Sequence, residues 1–383
     1  ASGCNLSEIR VEGSVRVNAG SEVYIGGVAG IASSIKNASF VGVIDSDLDD
    51  ASAYVGGVAG SSGAVTGGAF AGEMIFLDEN GKICANSLKT GFISGALGGD
   101  AKDNFVYANG GSVPESVLAF VRGGDYSEKR TNYGGSVKLS SDGSIGFGGI
   151  AATVNGNLDG YDFKYDSFDI SAEKGVTAGG LAASVYVVSN SSVEIDAYSV
   201  SSGSGKVKVG SVAATARSVI DCVVGKSVGK TGEETYVPFE SVVLSANEIE
   251  FGGIAAEIGS EMTGGRFGAV NVYLSGEKSV NYGGLVASGG GSLSDDEVSV
   301  GKAKLNADKV YYGGAAGKSD VNVSDIKLET AEAEITASEE VYYGQVAASA
   351  RNISNVELKN LVPEIKPADG DMIKSLVFGH VAG

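Results

Sequence analysis

The 383-residue chain has no tryptophan, four prolines, three cysteines and a single histidine. Each shortage closes off a class of protein. A poly-His zinc site needs a second imidazole, and a Ser-His-Asp or Cys-His arrangement would have to be built on His380 alone. That residue stands in a glycine slot of the last repeat and reads as a turn residue. Cys4, Cys84 and Cys222 are odd in number and widely spaced, with no CxxC pair, so they read as free thiols rather than a disulfide framework or a zinc knuckle. No apolar run approaches membrane-spanning length, "SVLAFV" at 116–121 being among the longest. No charged stretch followed by an apolar one opens the chain as a secretion signal would. Lys and Arg number 28 against 47 Asp and Glu, a net charge of −19, which argues against nucleic acid and against anionic membrane surfaces.

What the chain has in quantity is glycine, 60 residues of it, with no every-third-residue period that would mean collagen. The glycines cluster in a recurring phrase: "VYIGGVAG" at 23–30, "AYVGGVAG" at 53–60, "GFGGIAAT" at 146–153, "FGGIAAE" at 251–257, "YGGLVAS" at 282–288 and "VFGHVAG" at the end. Its first glycine falls at 26, 56, 148, 179, 210, 252, 283, 313, 344 and 379, and a degenerate copy, "FISGALGG", places Ser94 in that slot. The basic period is 30–31 residues, with longer steps after 94 and after 210. After each phrase comes a short polar stretch and then a strand pattern of alternating apolar and polar residues, as in "SIKNASFVGVI" at 34–44 and "VNVSDIKLET" at 321–330. No helical period is read anywhere.

Two or three short strands per 30 residues suit one coil of a parallel β-solenoid better than a four-stranded propeller blade, which takes about 40–50 residues. The expectation is an all-β, single-stranded, right-handed parallel β-solenoid of about 11–13 coils. It would form one elongated domain over 1–383, with irregular insertions near 100–135 and 223–240. At the phrase, the residue before the first glycine is large (Ile25, Phe147, Tyr312) and the residue two after it is aliphatic (Val28, Ile150, Val346). Three positions apart, they cannot both point inward from a regular strand. The glycine pair therefore marks a corner, adopting backbone angles that other residues avoid, and the small pair after it lets two walls pack closely.

These phrases, with the strands "SIKNASFVGVI" and "NISNVELKNL" that follow them, resemble the GLUG-motif repeats of bacterial secreted and surface proteins, over nearly the whole chain apart from roughly 100–135 and 223–240. The resemblance implies a surface-displayed, non-catalytic stalk or adhesive segment, extracellular, with a host or matrix protein or a glycan as partner. Because the chain begins and ends within the repeat, it is expected to be part of a longer repeat-containing protein. No cofactor is implied.

Motifs that carry chemistry are few. "GKSVGKTG" at 225–232 encloses three residues where a phosphate loop needs four, and reads as a polar loop. "DSDLDD" at 45–50 alternates Asp45, Asp47 and Asp49 like the start of a calcium loop but lacks its Gly and Glu, and reads as a solvated turn, as does "SDDE" at 294–297. Carboxylate pairs for polysaccharide cleavage are not excluded by composition. Two binding surfaces stand out. Tyr24, Tyr54, Phe92, Tyr311 and Tyr342 precede the glycine slot by two and should face outward. The long step after 94 holds Arg122, Asp125, Tyr126, Lys129, Arg130 and Tyr133, a gathering of Arg and Tyr in an Arg-poor chain, on an insertion of the kind that forms a binding loop. That step could equally hide a degenerate coil, with "NYGGSV" at 132–137 as its decayed phrase.

Overall fold

The computed structural model describes residues 4–76, 85–109, 113–124, 126, 130–230, 233–237, 239–359, 363–368, 372–379 and 381–382, giving the backbone alone for 226–230 and 233–237. It is a parallel β-solenoid of about 11 turns, all-β apart from one short helix. At about 4.8 Å per rung, the rod is about 50 Å long.

Each coil has three faces. The first carries the alternating strands, such as Ser34–Leu48, Val65–Ile75 and Asp162–Ala172. The second is the short strand that runs into the glycine phrase, such as Ser52–Gly56 and Ser144–Gly148. The third leaves the phrase, as in Ala59–Ser62 and Ala151–Asp159. Equivalent residues pair directly from coil to coil, so that Gly26 meets Gly56 and Phe40 meets Phe70. One core runs the length of the rod. It takes in both large residues that flank the glycine pair, for example Phe147 and Ile150, as the corner reading requires.

The glycines owe their place to crowding rather than to backbone angle, which corrects the expectation. Neither glycine of the phrase at 26, 56 or 148 has a positive φ. A Cβ on Gly26 would lie 2.2 Å from the Ala29 carbonyl oxygen, and one on Gly57 would lie 2.4 Å from the Phe70 ring. The first glycine lets the chain double back on itself. The second receives a side chain from the first face of the same coil, an aromatic ring at Gly27, Gly57, Gly149 and Gly253 and a Val or Leu at Gly180, Gly284 and Gly314.

That ring also explains the degenerate copy. The structure places Gly91, not Ser94, opposite Gly56, so Phe92 falls in the second-glycine slot and Ser94 pairs with Ala59. On the first face, Val106 stands opposite Phe70. The ring has moved from the strand to the corner, and Phe92 stacks between Phe70 and Phe163, with centroids 6.3 and 6.5 Å away. Phe92 is therefore buried, not outward.

The second corner has its own signature, hidden in three residue types. Eleven residues in the left-handed region, φ 47° to 72°, recur once per coil: Glu8, Asn37, Gly67, Asp103, Gly160, Asn190, Asp221, Gly264, Asp295, Asp325 and Asn355. All but Glu8 are Asn, Asp or Gly, the types for which that conformation costs least.

Rungs are also tied by charge. Lys164 reaches Glu194 at 2.9 Å, Lys302 reaches Glu332 at 2.8 Å and Lys304 reaches Glu334 at 3.1 Å, each partner one coil on. Exposed pairs of this kind stabilise by at most about 1 kcal/mol each.

The two long steps resolve differently. Residues 226–230 and 233–237 form an antiparallel hairpin outside the solenoid sheet, where a polar loop was expected. In the other insertion the first face is split. Phe105–Ala108 pairs with Val65–Ile75, the chain departs, and it returns as Asn132–Ser141, which pairs with Asp162–Ala172. "NYGGSV" thus opens a first-face strand and is not a corner phrase. The excursion contains the helix Glu115–Gly123, preceded by Pro114 and ended by Gly124 at φ 75°. This helix corrects the reading that no helical pattern exists. Its signal was present in the proline, in Val117 and Val121 four apart, and in the closing glycine.

Candidate binding surface

The glycine phrase folds two faces toward each other on the outside as well as the inside. After the corner, the first small residue (Ala151, Ala182, Ala255) joins the core, whereas the second (Ala152, Ala183, Ala256) is buried outside it. Here a glycine can be obligatory. A Cβ on Gly30 would lie 2.8 Å from the Tyr24 carbonyl oxygen, and one on Gly95 would lie 2.7 Å from the Val55 nitrogen. The small column is the apex of a concave corner along the rod.

One flank of this corner is a column with one outward side chain per coil. In order it reads Tyr24, Tyr54, Lys89, Gly146, Thr177, Lys208, Glu250, Asn281, Tyr311, Tyr342 and Val377. Tyr24 and Tyr54 stack at 4.8 Å between centroids, and Lys89 Nζ lies 5.0 Å from the Tyr54 ring centre. Towards the other end Tyr311 and Tyr342 stack at 5.2 Å, with Lys318 Nζ 4.6 Å from the Tyr311 ring centre. The Tyr24 hydroxyl donates to Glu22 at 2.8 Å, and this bond to a carboxylate raises its pKa. Tyr24 and Tyr54 therefore face outward as read from the sequence, half-buried against each other.

In mid-column the side chain is missing at Gly146. A hollow of about 390 Å³ opens there, lined by Lys89, Lys174 and Lys206 with the hydroxyls of Thr153, Thr177 and Ser184. Lys206 is bound to Glu250 at 2.6 Å, while Lys174 donates to the Asn86 amide oxygen at 3.2 Å and Lys89 to the Tyr54 hydroxyl at 3.4 Å. Two of the three ammonium groups thus have neutral partners, in a chain whose balance is strongly acidic.

The Arg and Tyr of the insertion hold it down. Helix Glu115–Gly123 lies over the outer side of the first face, where Val117, Phe120 and Val121 pack with Tyr126 on Ala69, Ala71 and Phe105. Arg122 bonds Glu12 at 2.9 Å, and Arg10 donates to the Gly123 carbonyl at 3.3 Å. Nine helical residues span about 13 Å, close to the reach of three rung spacings. Tyr126 is buried and its hydroxyl donates to the Val121 carbonyl at 2.6 Å. Arg130 lies 4.0 Å over the Phe120 ring. Tyr133, on the returning strand, donates to Asp166 and has its pKa raised to about 12, first by that bond. Asp125 and Lys129 lie outside the described residues, as do Cys84 and His380.

Other sequence candidates are spent locally. Asp45 pairs with Arg16 at 2.8 Å, and Asp47 accepts from Asn18 at 3.2 Å. Among the described residues, no group of three His, Cys, Asp or Glu is placed to hold a metal ion. Asp296 of "SDDE" corrects the reading of a solvated turn. It is 2% exposed, and its Oδ1 accepts the Gly265 N–H at 2.6 Å. Burial pushes its carboxyl up to about 7, against the pull of the Gly265 and Ser294 backbone groups. Cys222 is buried and free, its thiol pushed up to about 12 mainly by burial, and Cys4 is exposed and free.

Known protein families, curated proteins and solved structures were each compared with the chain, and none matches.

Proposed function

We propose that the chain is a non-catalytic adhesive or stalk segment of a bacterial surface or secreted protein, and that the concave corner is the face that meets its partner. The supporting observation is the column from Tyr24 to Val377, which carries stacked tyrosines near both ends and Lys89 and Lys208 between them at rung spacing. Repetition of this kind suits an extended partner, a matrix protein or a glycan, held by many weak contacts.

The hollow at Gly146 favours a second reading, a carbohydrate-binding or carbohydrate-cleaving solenoid. Lys89 and Lys174, whose hydrogen bonds go to the neutral Tyr54 and Asn86, and the flanking hydroxyls match an acidic sugar chain. Arrays of glycans and of matrix proteins, probed with the native chain and with Tyr54→Ala, Lys89→Ala and Lys174→Ala variants, test both. Under the adhesive reading the variants lose binding and no reducing ends are released from polysaccharides. Binding untouched by all three substitutions would remove the groove from consideration, and release of product would overturn the non-catalytic reading.

A further inference from the structure

Gly146 is a glycine that the fold does not require. A Cβ there would meet its nearest neighbour, Lys89 Cγ, at 3.6 Å, an ordinary contact, and its φ is not positive. Two residues on, a Cβ at Gly148 would lie 2.2 Å from the Ala151 carbonyl oxygen, so that glycine is forced. Every other member of the outward column carries a side chain, and glycine inside a strand weakens it. The bare position at 146 therefore answers to something other than packing. What it does is hold the hollow open.

The hollow is bracketed by charge along the rod. Register sets Lys89 beside Gly146, Ser144 beside Gly175, and Gly175 beside Lys206. Lys89 and Lys206 thus stand three rungs apart, about 14 Å, with Gly146 and Gly175 on the two rungs between them. Lys174 reaches back over the intervening rung to the Asn86 amide oxygen at 3.2 Å. Among the described residues no Asp or Glu lines the hollow, and Ala152 and Ala183 form its apex. Glu250, which binds Lys206, stands one coil beyond. In a chain of net charge −19, a basin with three ammonium groups and no lining carboxylate concentrates anions.

The donors select among anions. Three ammonium groups on separate stems act as point charges, and the hydroxyls of Thr153, Thr177 and Ser184 add further donors. A carboxylate is planar and is matched best by a guanidinium fork, and no arginine is in this lining. A tetrahedral oxyanion points its oxygens in several directions and suits donors that converge from different elements. At about 390 Å³ the hollow has room for a sugar ring together with such a group.

We propose that the hollow is a subsite for an oxyanion ester, sulfate or phosphate, carried on a sugar of a glycan chain that lies along the groove. This rests on the carbohydrate reading of the groove and narrows its ligand class.

Short glucan oligosaccharides in uncharged, carboxymethylated, phosphorylated and sulfated forms are titrated calorimetrically into the full chain at low salt, where surface charge is least screened. The sulfated or the phosphorylated form should bind with a Kd below about 1 mM, about tenfold or more tighter than the carboxymethylated form, and the tighter of the two identifies the ester. Gly146→Tyr supplies the side chain that Tyr54 already places beside Lys89. It should abolish this binding and leave the thermal midpoint unchanged or raised. Lys89→Gln and Lys174→Gln should each weaken binding about threefold, the size of one exposed charge contact. Lys302→Gln, the same loss of charge on the first face, should not change it. Binding that survives Gly146→Tyr, or equal affinity for the carboxymethylated form, would overturn the subsite and leave the carbohydrate reading of the groove standing. No binding of any form would overturn both. A fall in the midpoint of Gly146→Tyr would show that packing does require the glycine, which removes the premise.

Discussion

Substituting Asp296 by Asn should stabilise the protein at neutral and alkaline pH. The carboxyl is sealed at the second corner, with Oδ1 bound to the Gly265 N–H at 2.6 Å. Asn104 makes the same bond to the Gly68 N–H, at 2.7 Å, so the fold already accepts an amide in this role. The sign follows from the raised pKa. A carboxyl held at about 7 in the folded chain and ordinarily titrating at 3.8 favours folding while protonated, and this contribution is lost as pH rises through 7. Ionising it in place costs about 4 kcal/mol on that difference. Asparagine avoids the charge but brings an NH2 group into the site, and an unsatisfied donor costs about 1–3 kcal/mol. The net gain at pH 8 is then about 1–3 kcal/mol, shrinking towards pH 5 and reversing in acid. Denaturant unfolding of both proteins at pH 5 and pH 8 reads the difference. If the stability gap between them is the same at the two pH values, Asp296 is not a buried carboxyl with a raised pKa.

Phe92→Gly should destabilise by about 3–5 kcal/mol through the cavity it leaves, and adding Val106→Phe should recover most of that loss by returning the ring to the strand; additive losses in the double variant would refute the exchange. With Cys84 changed to Ala, one thiol, Cys4, should react with a disulfide reagent in the native protein, and Cys222 only after denaturation; prompt reaction of both would show that Cys222 is accessible. Deleting residues 113–131 should lower the thermal midpoint, because it uncovers Ala69, Ala71 and Phe105, whereas Arg122→Ala breaks only exposed pairs with Glu12 and Glu115 and should leave the midpoint nearly unchanged. An unchanged midpoint for the deletion would mean that the helix does not cover this wall.

How much of this could be read from the letters depended on whether one residue type did the same job in every coil. The glycine corner was legible because two large residues and two glycines recur at 30–31 residues. The second corner was not, although one left-handed residue recurs 11 or 12 positions after the first glycine, because Asn, Asp and Gly share that role. The copy at 91–95 was read three residues out of register, since Phe92 takes the slot of the second glycine while Val106 takes that of the strand aromatic. Tyr24 and Tyr54 could be placed outward from spacing alone. That Tyr126 and the two arginines of the insertion serve to pin it down depends on contacts with Ala69, Phe105, Glu12 and Phe120, which no local pattern discloses.

The stacking itself can be measured as a distance. Asp169 and Glu364 are far apart in sequence and both exposed, and the register links them through Ser199, Val243, Tyr273, Lys304 and Glu334, six rungs in all. In a chain whose three native cysteines are replaced by alanine, spin labels at Asp169→Cys and Glu364→Cys should give one narrow dipolar distance near about 29 Å, six spacings of about 4.8 Å. A broad distribution, or a distance well away from that value, would contradict the in-register solenoid on which both the groove and the hollow at Gly146 depend.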